Sequence, residues 1–302
     1  MFSGGKDSTL LTILVLEYLG DTSNGRPATT VVYSDSMLEF PQAKAVALGS
    51  LWFVEALARD EGLPVETRYV RPKVQDSFWV NLIGRGYTPP RAHFRWCTQR
   101  LKVNPSWDLV ADGSGGQKAV LTGVRFDKSP ARKTNLKLSC ARAGECGQDF
   151  WMRYGPNGSN ITYFAPVAFR RTCKVWDFLT FHAPSSGWPT GPLASLYGRQ
   201  SLRFGCWTCT LVNRDRAAEA LIVRGEDEVI ERLTAFRTFL DEASRNEELR
   251  WRDELGNLRG FSLVFCRLVL DRLLEIQSEV EMPLVSDEEV RAIREIWKAR
   301  KK

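Results

Sequence analysis

Ser3-Gly4-Gly5-Lys6-Asp7-Ser8-Thr9 decides the fold of this chain, because it runs directly into the apolar stretch Leu10–Leu16. Two glycines permit a tight turn, which lets backbone N–H groups and the Ser3 and Ser8 hydroxyls point at one anion. The apolar stretch predicts a helix, whose N-terminus adds partial positive charge. Since the spacing differs from that of the G-x-x-x-x-G-K-[ST] loop, the segment predicts a phosphate cradle of another type.

Short β-branched runs alternate with helical patterns over the first 170 residues, which predicts an α/β fold with a parallel sheet. Strands are expected at Thr30–Ser34, Val65–Val70, Ala119–Val124 and Ile161–Phe164, with a helix over about Gln42–Arg59. A further strand is expected before the phosphate cradle. Either the start of the chain cuts that strand off, or Met1-Phe2 is its stump.

After Lys174 the pattern predicts helices and no strand. The helices are expected at Val175–His182, Arg214–Val223, Glu226–Ser244, Phe261–Val280 and Ser286–Arg300. Ser286 and Glu289 have the spacing of a capping box at the start of the last one. We therefore predict three domains: an α/β domain over 1–172, a cysteine-containing helical and loop region over 173–225 that completes the site, and a helical region over 226–302.

Composition and charge favour a globular protein that meets a polyanion. The chain has 302 residues, 43% apolar and 26% charged, with a net charge of +6. No apolar run is long enough to span a membrane, and with no export signal at the amino terminus we expect a cytoplasmic protein with reduced cysteines. Residues 1–224 carry 28 Lys and Arg against 18 Asp and Glu, and Ser77–Trp107 contains no acid. A merely solvated basic surface is the alternative interpretation.

Three further segments carry candidate ligands for a nucleotide. Asp35 and Ser36 follow the first predicted strand, where an open α/β sheet binds its ligand, although they could equally cap the next helix. Arg100 and Lys102 can reach a nucleotide or an acceptor phosphate. The segment Gly123–Arg132 follows a strand, and its arginines suit forked phosphate contacts, with plain surface arginines as the alternative.

The cysteines predict a metal centre. Cys206 and Cys209 form a C-x₂-C turn, and Cys140 and Cys146 lie in a glycine-containing loop. The four thiols are candidate ligands for one iron–sulfur cluster, expected as 4Fe-4S, or for a structural zinc. Cys97 is the reserve candidate, as a ligand or as a thiol that faces the nucleotide. Of the others, Cys173 is expected to begin a helix and Cys266 to lie in the core.

The opening segment resembles the S-G-G-x-D-S signature of the PP-loop ATP pyrophosphatases. The resemblance implies a HUP-like, doubly wound parallel sheet of about five strands and ATP with its β,γ-phosphates on the loop. It further implies cleavage of that ATP to AMP and pyrophosphate, with Asp7 holding Mg²⁺. Met37–Pro41, Arg95–Val103 and Gly123–Arg132 are similar to segments of the phosphoadenylylsulfate-reductase-like branch, which implies Asp35 and Ser36 near the adenosine and Arg125 and Arg132 at the polyphosphate. The expected nucleotide ligands are Ser3, Gly4, Gly5, Lys6, Asp7, Ser8, Thr9, Asp35, Ser36, Gly123, Arg125 and Arg132, and the expected catalytic residues are Lys6, Asp7, Lys102 and Arg125.

The combination of the opening loop with Trp96–Lys102, Arg203–Cys209 and Leu284–Trp297 resembles the DNA phosphorothioation sulfurtransferases (the DndC and SspD type). The resemblance implies an enzyme that activates the DNA backbone with ATP and replaces a non-bridging oxygen with sulfur. It also implies a cysteine desulfurase as sulfur donor, acting through an iron–sulfur protein, and further subunits of a phosphorothioation complex. In the larger members extra cluster cysteines flank the C-x₂-C turn, whereas Tyr197 and Asp215 stand nearby here.

Three other functions stay open. A phosphoadenylylsulfate or adenylylsulfate reductase shares the nucleotide fold but needs a mobile carboxy-terminal cysteine, and this chain ends in Lys298-Ala299-Arg300-Lys301-Lys302. A tRNA thiolation enzyme fits the basic charge, although the Trp96–Lys102 segment does not favour it. A non-catalytic subunit of a DNA defence complex, sensing nucleotide or binding DNA, is the third.

Overall fold

Two compact units make up the computed structural model, and each gathers several segments of the chain. The first unit comprises Met1–Ser34, Pro41–Val70 and Ser106–Ser201, and the second comprises Asp35–Phe40, Arg71–Pro105 and Leu202–Lys302. The structure describes every residue except 22–24, 92, 112–115, 129–132, 135, 138, 140–149, 157–158, 199–203, 213, 224, 226–227 and 301–302. The units interleave along the chain, and the three consecutive domains stay a prediction.

The first unit is an α/β structure built on parallel strand pairs. Its helices are α1 (Lys6–Asp21), α2 (Pro41–Asp60), most of α4 (Asn104–Val110), α5 (Thr172–Asp177), α6 (Ala183–Ser185) and α7 (Gly191–Tyr197), with a π-helical segment at Phe178–His182. Its strands are β1 (Thr29–Ser34), β2 (Val65–Val70), β3 (Lys118–Leu121), β4 (Trp151–Tyr154) and β5 (Ile161–Ala165). Strands β1 and β2 pair in parallel from Thr29↔Val65 to Ser34↔Val70, and β3 pairs in parallel with β5. The predicted α/β class is confirmed, as is a mostly helical carboxy-terminal region.

Met1 and Phe2 act as a strand stump between two of these strands. Phe2 forms a parallel bridge with Tyr33 of β1, and its nitrogen donates to the Val32 oxygen at 2.7 Å. On the other side, the Met1 nitrogen donates to the Leu121 oxygen at the end of β3, at 2.8 Å. The phosphate loop therefore leaves from a position between β1 and β3.

Strand β4 lies antiparallel to β5 and was missed in the sequence. It pairs from Trp151↔Ala165 to Tyr154↔Thr162. Only its first residue is buried, because Trp151 packs into a small core with Leu136 and Ala168, and its indole nitrogen donates to the Leu136 oxygen at 2.8 Å. Four residues with one buried side chain give no readable alternation.

The second unit is mainly helical. Its helices are α3 (Trp96–Thr98), α8 (Arg216–Val223), α9 (Glu228–Ala243), α10 (Leu263–Glu279) and α11 (Asp287–Arg300), with π-helical segments at Val80–Gly84 and Gln99–Val103. The capping box is confirmed: the Ser286 hydroxyl accepts from the Glu289 nitrogen at 3.2 Å, and the Glu289 carboxylate accepts from the Ser286 nitrogen at 2.9 Å. None of the helices that the structure describes is long and apolar enough to cross a membrane.

A hairpin in the second unit contradicts the expectation of no strand after Lys174. Strands β6 (Arg250–Arg252) and β7 (Leu258–Phe261) pair antiparallel. The sequence gives little sign of them, because β6 has only three residues and Phe261 is the one buried residue of β7. Their turn is organised instead by Asp253, whose carboxylate accepts from the Leu255 and Asn257 nitrogens at 3.1 and 2.8 Å.

Gly260 fixes this hairpin against the segment near Gly86. The Phe261 nitrogen donates to the Gly86 oxygen at 2.6 Å, and a Cβ at Gly260 would lie 2.0 Å from that oxygen. We predict that Gly260→Ala lowers the free energy of unfolding by about 1–3 kcal/mol, since backbone has to move. Gly49→Ala, in open space within α2, should instead raise it by roughly 0.5–1 kcal/mol. Chemical denaturation checks both, and an unchanged G260A midpoint would contradict the contact.

Candidate functional site

The phosphate loop, Ser3–Thr9, is folded tightly at the start of α1 in the first unit. Gly4 has a φ of 67°, and a Cβ there would lie 2.4 Å from the Ala47 Cβ, so conformation and space both require glycine. The Ser8 hydroxyl donates to the Gly5 oxygen at 2.9 Å and accepts from the Ser3 nitrogen at 3.2 Å. These bonds lie within the loop and hold its turn in place, so the loop is preorganised.

Tyr197 of α7 closes one side of this loop. Its hydroxyl accepts from the Lys6 nitrogen at 3.4 Å, and the Lys6 ammonium lies 5.2 Å from the centre of the tyrosine ring. Gly5 makes this approach possible, since a Cβ there would stand 3.3 Å from the hydroxyl oxygen. Sequence reasoning did not place Tyr197 in the site, because its partners are nearly two hundred residues away.

Asp7 and Arg125 form a buried ion pair between the phosphate loop and the end of β3. The Arg125 Nε donates to the Asp7 Oδ1 at 2.6 Å, and the two residues are 1% and 5% exposed. Gly123 allows this approach: a Cβ there would lie 2.9 Å from the Asp7 carbonyl and from the Ser8 nitrogen. Asp7 and Arg125, both predicted to serve the polyphosphate, are therefore brought together and bound to each other.

The remaining donors of Arg125 hold a third segment. Its Nη1 donates to the Arg170 oxygen at 2.7 Å, and its Nη2 donates to the Thr172 hydroxyl at 3.0 Å. The Thr172 hydroxyl and nitrogen in turn donate to the Asp127 carboxylate, and these bonds hold the pKa of Asp127 below its usual value. One guanidinium thus joins the loop, the end of β3 and the start of α5. Arg132 lies outside the described residues.

Among the buried hydroxyls of the first unit that have no hydrogen-bond partner in the described part of the chain, two belong to a threonine and a serine near the start of the chain. They are the Thr9 Oγ1, in the first turn of α1, and the Ser34 Oγ, at the end of β1. A buried hydroxyl without a partner is costly, and a bound group that supplies one removes the cost. Together with the glycine turn and the helix N-terminus, these atoms fit the phosphate-bearing ligand that the sequence predicts.

Asp35 and Ser36 belong to the second unit, although they directly follow β1. Asp35 is 1% exposed, and its carboxylate accepts from the Met37 nitrogen at 2.9 Å and from the Arg71 Nε at 3.0 Å. Ser36 donates to the Glu39 carboxylate at 2.6 Å and lies 3.5 Å from the Cys206 sulfur. Their predicted place near the adenosine stays a prediction.

A thiol cluster, defined as Cys97, Cys206 and Cys209 with Lys102, lies in the second unit. The turn that carries two of the thiols closes through a bond from the Cys209 nitrogen to the Cys206 oxygen at 3.0 Å. It is held by an antiparallel bridge between Cys206 and Glu39. Lys102 reaches the same place, with its ammonium 3.9 Å from the Glu39 carboxylate.

The charges of this cluster are coupled. Burial raises the pKa of the Cys206 thiol, while Lys102 and the Ser36 hydroxyl act to lower it. Burial likewise raises the pKa of Cys97, which Cys209 raises further. The pKa of Lys102 is raised, first by Cys206 and then by Glu39 and the other two thiols. At neutral pH Cys97 and Cys206 are therefore neutral thiols, and Lys102 is protonated.

The metal centre stays a prediction. Cys140 and Cys146 lie outside the described residues, and within the described part of the chain no three His, Cys, Asp or Glu side chains are arranged to hold a metal ion. Cys97, the reserve candidate, does come within electrostatic range of Cys209. Of the other cysteines, Cys173 is exposed at the start of α5, and Cys266 is buried in α10 as expected.

Comparison with known proteins gives a family for most of the chain. The family described as "Phosphoadenosine phosphosulfate reductase domain" matches residues 1–212. An uncharacterized protein of Methanocaldococcus jannaschii is 24% identical over 208 residues, 69% of this chain and 35% of that protein, so the chain spans about a third of this curated relative. The crystal structure of phosphoadenylyl-sulfate (PAPS) reductase from Candida auris, phosphate complex, has a TM-score of 0.38 and 16% identity, over 70% of this chain and 82% of that one.

Because the ion pair is buried, we predict that removing Arg125 alone destabilises the protein more than removing both charges. Arg125→Met should lower the free energy of unfolding by about 3–5 kcal/mol, since it leaves the Asp7 carboxylate buried without its partner. Asp7→Asn with Arg125→Met should cost less than Arg125→Met alone, because the uncompensated charge is gone. Denaturation of the two single variants and the double variant measures this coupling, and simple additivity would contradict it.

Lys102 is predicted to set the reactivity of Cys206. Its removal in Lys102→Met takes away the positive charge that lowers the pKa of Cys206, so less thiolate forms at a given pH. Alkylation of Cys206 by iodoacetamide, followed by peptide mass spectrometry from pH 7 to 10, should be several-fold slower and displaced to higher pH. Lys174→Met, which removes an exposed lysine paired with Asp177, is the control. Equal rates in K102M and the parent chain would refute the coupling.

Proposed function

We propose that this chain, which belongs to the phosphoadenosine phosphosulfate reductase domain family, is an ATP pyrophosphatase and sulfurtransferase of DNA phosphorothioate modification. Membership places it among PP-loop enzymes that use nucleotides in sulfur chemistry. The finer proposal is that ATP activates a phosphate of the DNA backbone, and that sulfur then replaces a non-bridging oxygen.

The observation that carries the proposal is the preorganised phosphate loop with its buried Asp7. The glycine turn, the first N–H groups of α1 and the unpartnered Thr9 hydroxyl offer hydrogen bonds to the β,γ-phosphates of ATP. Lys6 supplies a positive charge where pyrophosphate gains negative charge. Mg²⁺, when bound, neutralises charge on the leaving pyrophosphate, and Asp7 is the carboxylate that would hold it.

The proposed reaction proceeds in two balanced steps. An oxygen of the acceptor phosphodiester attacks the α-phosphorus of ATP, the bond to the β-phosphate oxygen breaks, and pyrophosphate leaves. A sulfur nucleophile at the oxidation level of sulfide then attacks the acceptor phosphorus, and AMP leaves with the former non-bridging oxygen. Neither of these two steps requires an oxidant or a reductant, whereas a persulfide from a cysteine desulfurase first takes two electrons from a pair of thiols, which become a disulfide, to reach the level of sulfide.

The thiol cluster supports the sulfur half of the proposal. Three thiols near one ammonium suit the transfer of sulfur, and Cys206 and Cys209 are the thiols that would share a 4Fe-4S cluster or zinc with Cys140 and Cys146. A cysteine desulfurase as donor, and other subunits of a phosphorothioation complex, are the partners we propose. The basic charge of residues 1–224 supports DNA as the acceptor.

A reductase of phosphoadenylylsulfate or adenylylsulfate is the second candidate, and the family match favours it directly. Such an enzyme needs an accessible cysteine to attack sulfur. Cys266, the last cysteine of the chain, is 1% exposed, and its sulfur lies 3.9 Å from the Leu82 and Phe261 oxygens. Burial therefore withholds Cys266 from this role, whereas Cys173 is exposed. Phosphoadenylylsulfate-dependent sulfite formation, without consumption of ATP, would establish the reductase instead.

The test is product analysis with ATP and duplex DNA. The parent chain, supplied with its sulfur-donating partners, should form AMP and pyrophosphate, and nucleotides from the DNA should gain the mass difference of sulfur for oxygen. Asp7→Asn should reduce pyrophosphate release by roughly 100-fold or more. Glu66→Gln, which removes an exposed acid paired with Arg68, should not reduce it. Formation of ADP, or undiminished release by D7N, would overturn the proposal.

A further inference from the structure

The segment 168–174, Ala-Phe-Arg-Arg-Thr-Cys-Lys, carries three basic residues and no acid. It lies in the first unit and runs from the turn after β5 into the first residues of α5. Arg170 and Arg171 are exposed there, while the preceding Ala168 is buried. The segment thus presents two adjacent guanidiniums on a backbone anchored in the core.

This backbone is held by the same guanidinium that binds the phosphate loop. Arg125 donates to the Arg170 oxygen at 2.7 Å and to the Thr172 hydroxyl at 3.0 Å, while its Nε binds Asp7. The Asp127 carboxylate fixes the Thr172 nitrogen at 3.0 Å. The two exposed arginines therefore start from a backbone that is tied, through one side chain, to the loop that we propose for ATP.

Arg170 and Arg171 also differ from other exposed cations of the chain. Arg68, Arg214 and Arg252 each pair with a carboxylate within 3.0 Å, and Lys174 pairs with Asp177 at 3.3 Å. Within the described part of the chain, neither guanidinium of Arg170 or Arg171 has a hydrogen bond or an ion pair.

The nearby acid does not neutralise these two charges. Asp127 accepts from Thr172 and lies 3.5 Å from the Arg125 Nη1, all through its Oδ2, and in the described part of the chain it forms no ion pair with Arg170 or Arg171. The charge of Arg125 is in turn opposed by the buried Asp7. Two positive charges without carboxylate partners, on a fixed backbone, are suited to a ligand that carries several negative charges.

We infer that Arg170 and Arg171 bind the phosphodiester backbone of the DNA acceptor and place it beside the ATP-binding loop. This inference rests on the proposed function, since it names the surface that receives the DNA. Each guanidinium makes forked contacts to phosphate oxygens and releases counterions from the DNA. Neither residue takes part in the chemical steps, so both are substrate-positioning residues.

The test is the salt dependence of DNA binding by the double variant Arg170→Gln with Arg171→Gln. Fluorescence anisotropy with a 20-base-pair duplex, from about 50 to 200 mM salt, gives the slope of log K against log salt. The slope should become shallower by about one for each arginine removed. ATP affinity, measured separately, should not change. Lys174→Gln, which removes the paired cation of the same segment, is the matched control and should leave the slope nearly unchanged.

The outcomes separate this inference from the proposed function. If the parent chain binds DNA and the double variant keeps its slope, the inference is overturned and the proposed function stands. If the double variant instead loses ATP affinity, the two arginines bind the nucleotide, which also overturns the inference. No DNA binding by the parent chain refutes both. Arg170→Lys with Arg171→Lys keeps the charge, so it should retain the slope; loss of the slope in that variant shows a structural role and overturns the inference.

Discussion

The buried ion pair between Asp7 and Arg125 is the constraint on which the first unit's site depends. Burying two charges is costly, and the cost is recovered only when geometry and further hydrogen bonds are good. Here the pair is 2.6 Å long, and the other nitrogens of Arg125 bind the Arg170 oxygen and the Thr172 hydroxyl. Gly123 permits the approach. Three distant parts of the sequence therefore have to be correct at once for this network to form.

The candidate functional residues are divided between the two units. The phosphate loop, Arg125 and the Arg170–Arg171 pair belong to the first unit, and the thiol cluster with Lys102 belongs to the second. The chain changes unit directly after β1, so that Asp35–Phe40 carries Ser36 and Glu39 to the thiols. The segment Asp35–Phe40, which the sequence predicts near a nucleotide, thus contributes hydrogen bonds and charge to the thiol cluster.

Patterns of adjacent residues predict much of the fold, but they do not predict the contacts that build the site. The glycine turn, strands β1 and β2, and the Ser286 capping box follow from a few adjacent residues, so the sequence predicts them. The Asp7–Arg125 pair, the contact of Tyr197 with Lys6, and the approach of Cys97 to Cys209 depend on residues about one hundred or more apart. The hairpin β6–β7 was missed for a different reason, since its strands are short, Phe261 is their one buried side chain, and hydrogen bonds to Asp253 and Gly86 hold the turn and the register.

The motif around Arg125 predicts a phosphate contact, whereas the buried position of this residue favours a structural role. A glycine followed two residues later by arginine, after a strand, resembles a phosphate-binding arginine, yet this guanidinium is 1% exposed and its charge is opposed by Asp7. A buried, neutralised cation attracts a polyanion weakly, because the field of the pair falls off faster than that of a single charge. Under the proposed function, the positive charge for a triphosphate and a DNA backbone then comes from other residues. In the described part of the first unit, Lys6 at the loop and Arg170 and Arg171 of segment 168–174 are the cations that we propose for this role, and Arg125 would hold both groups in place.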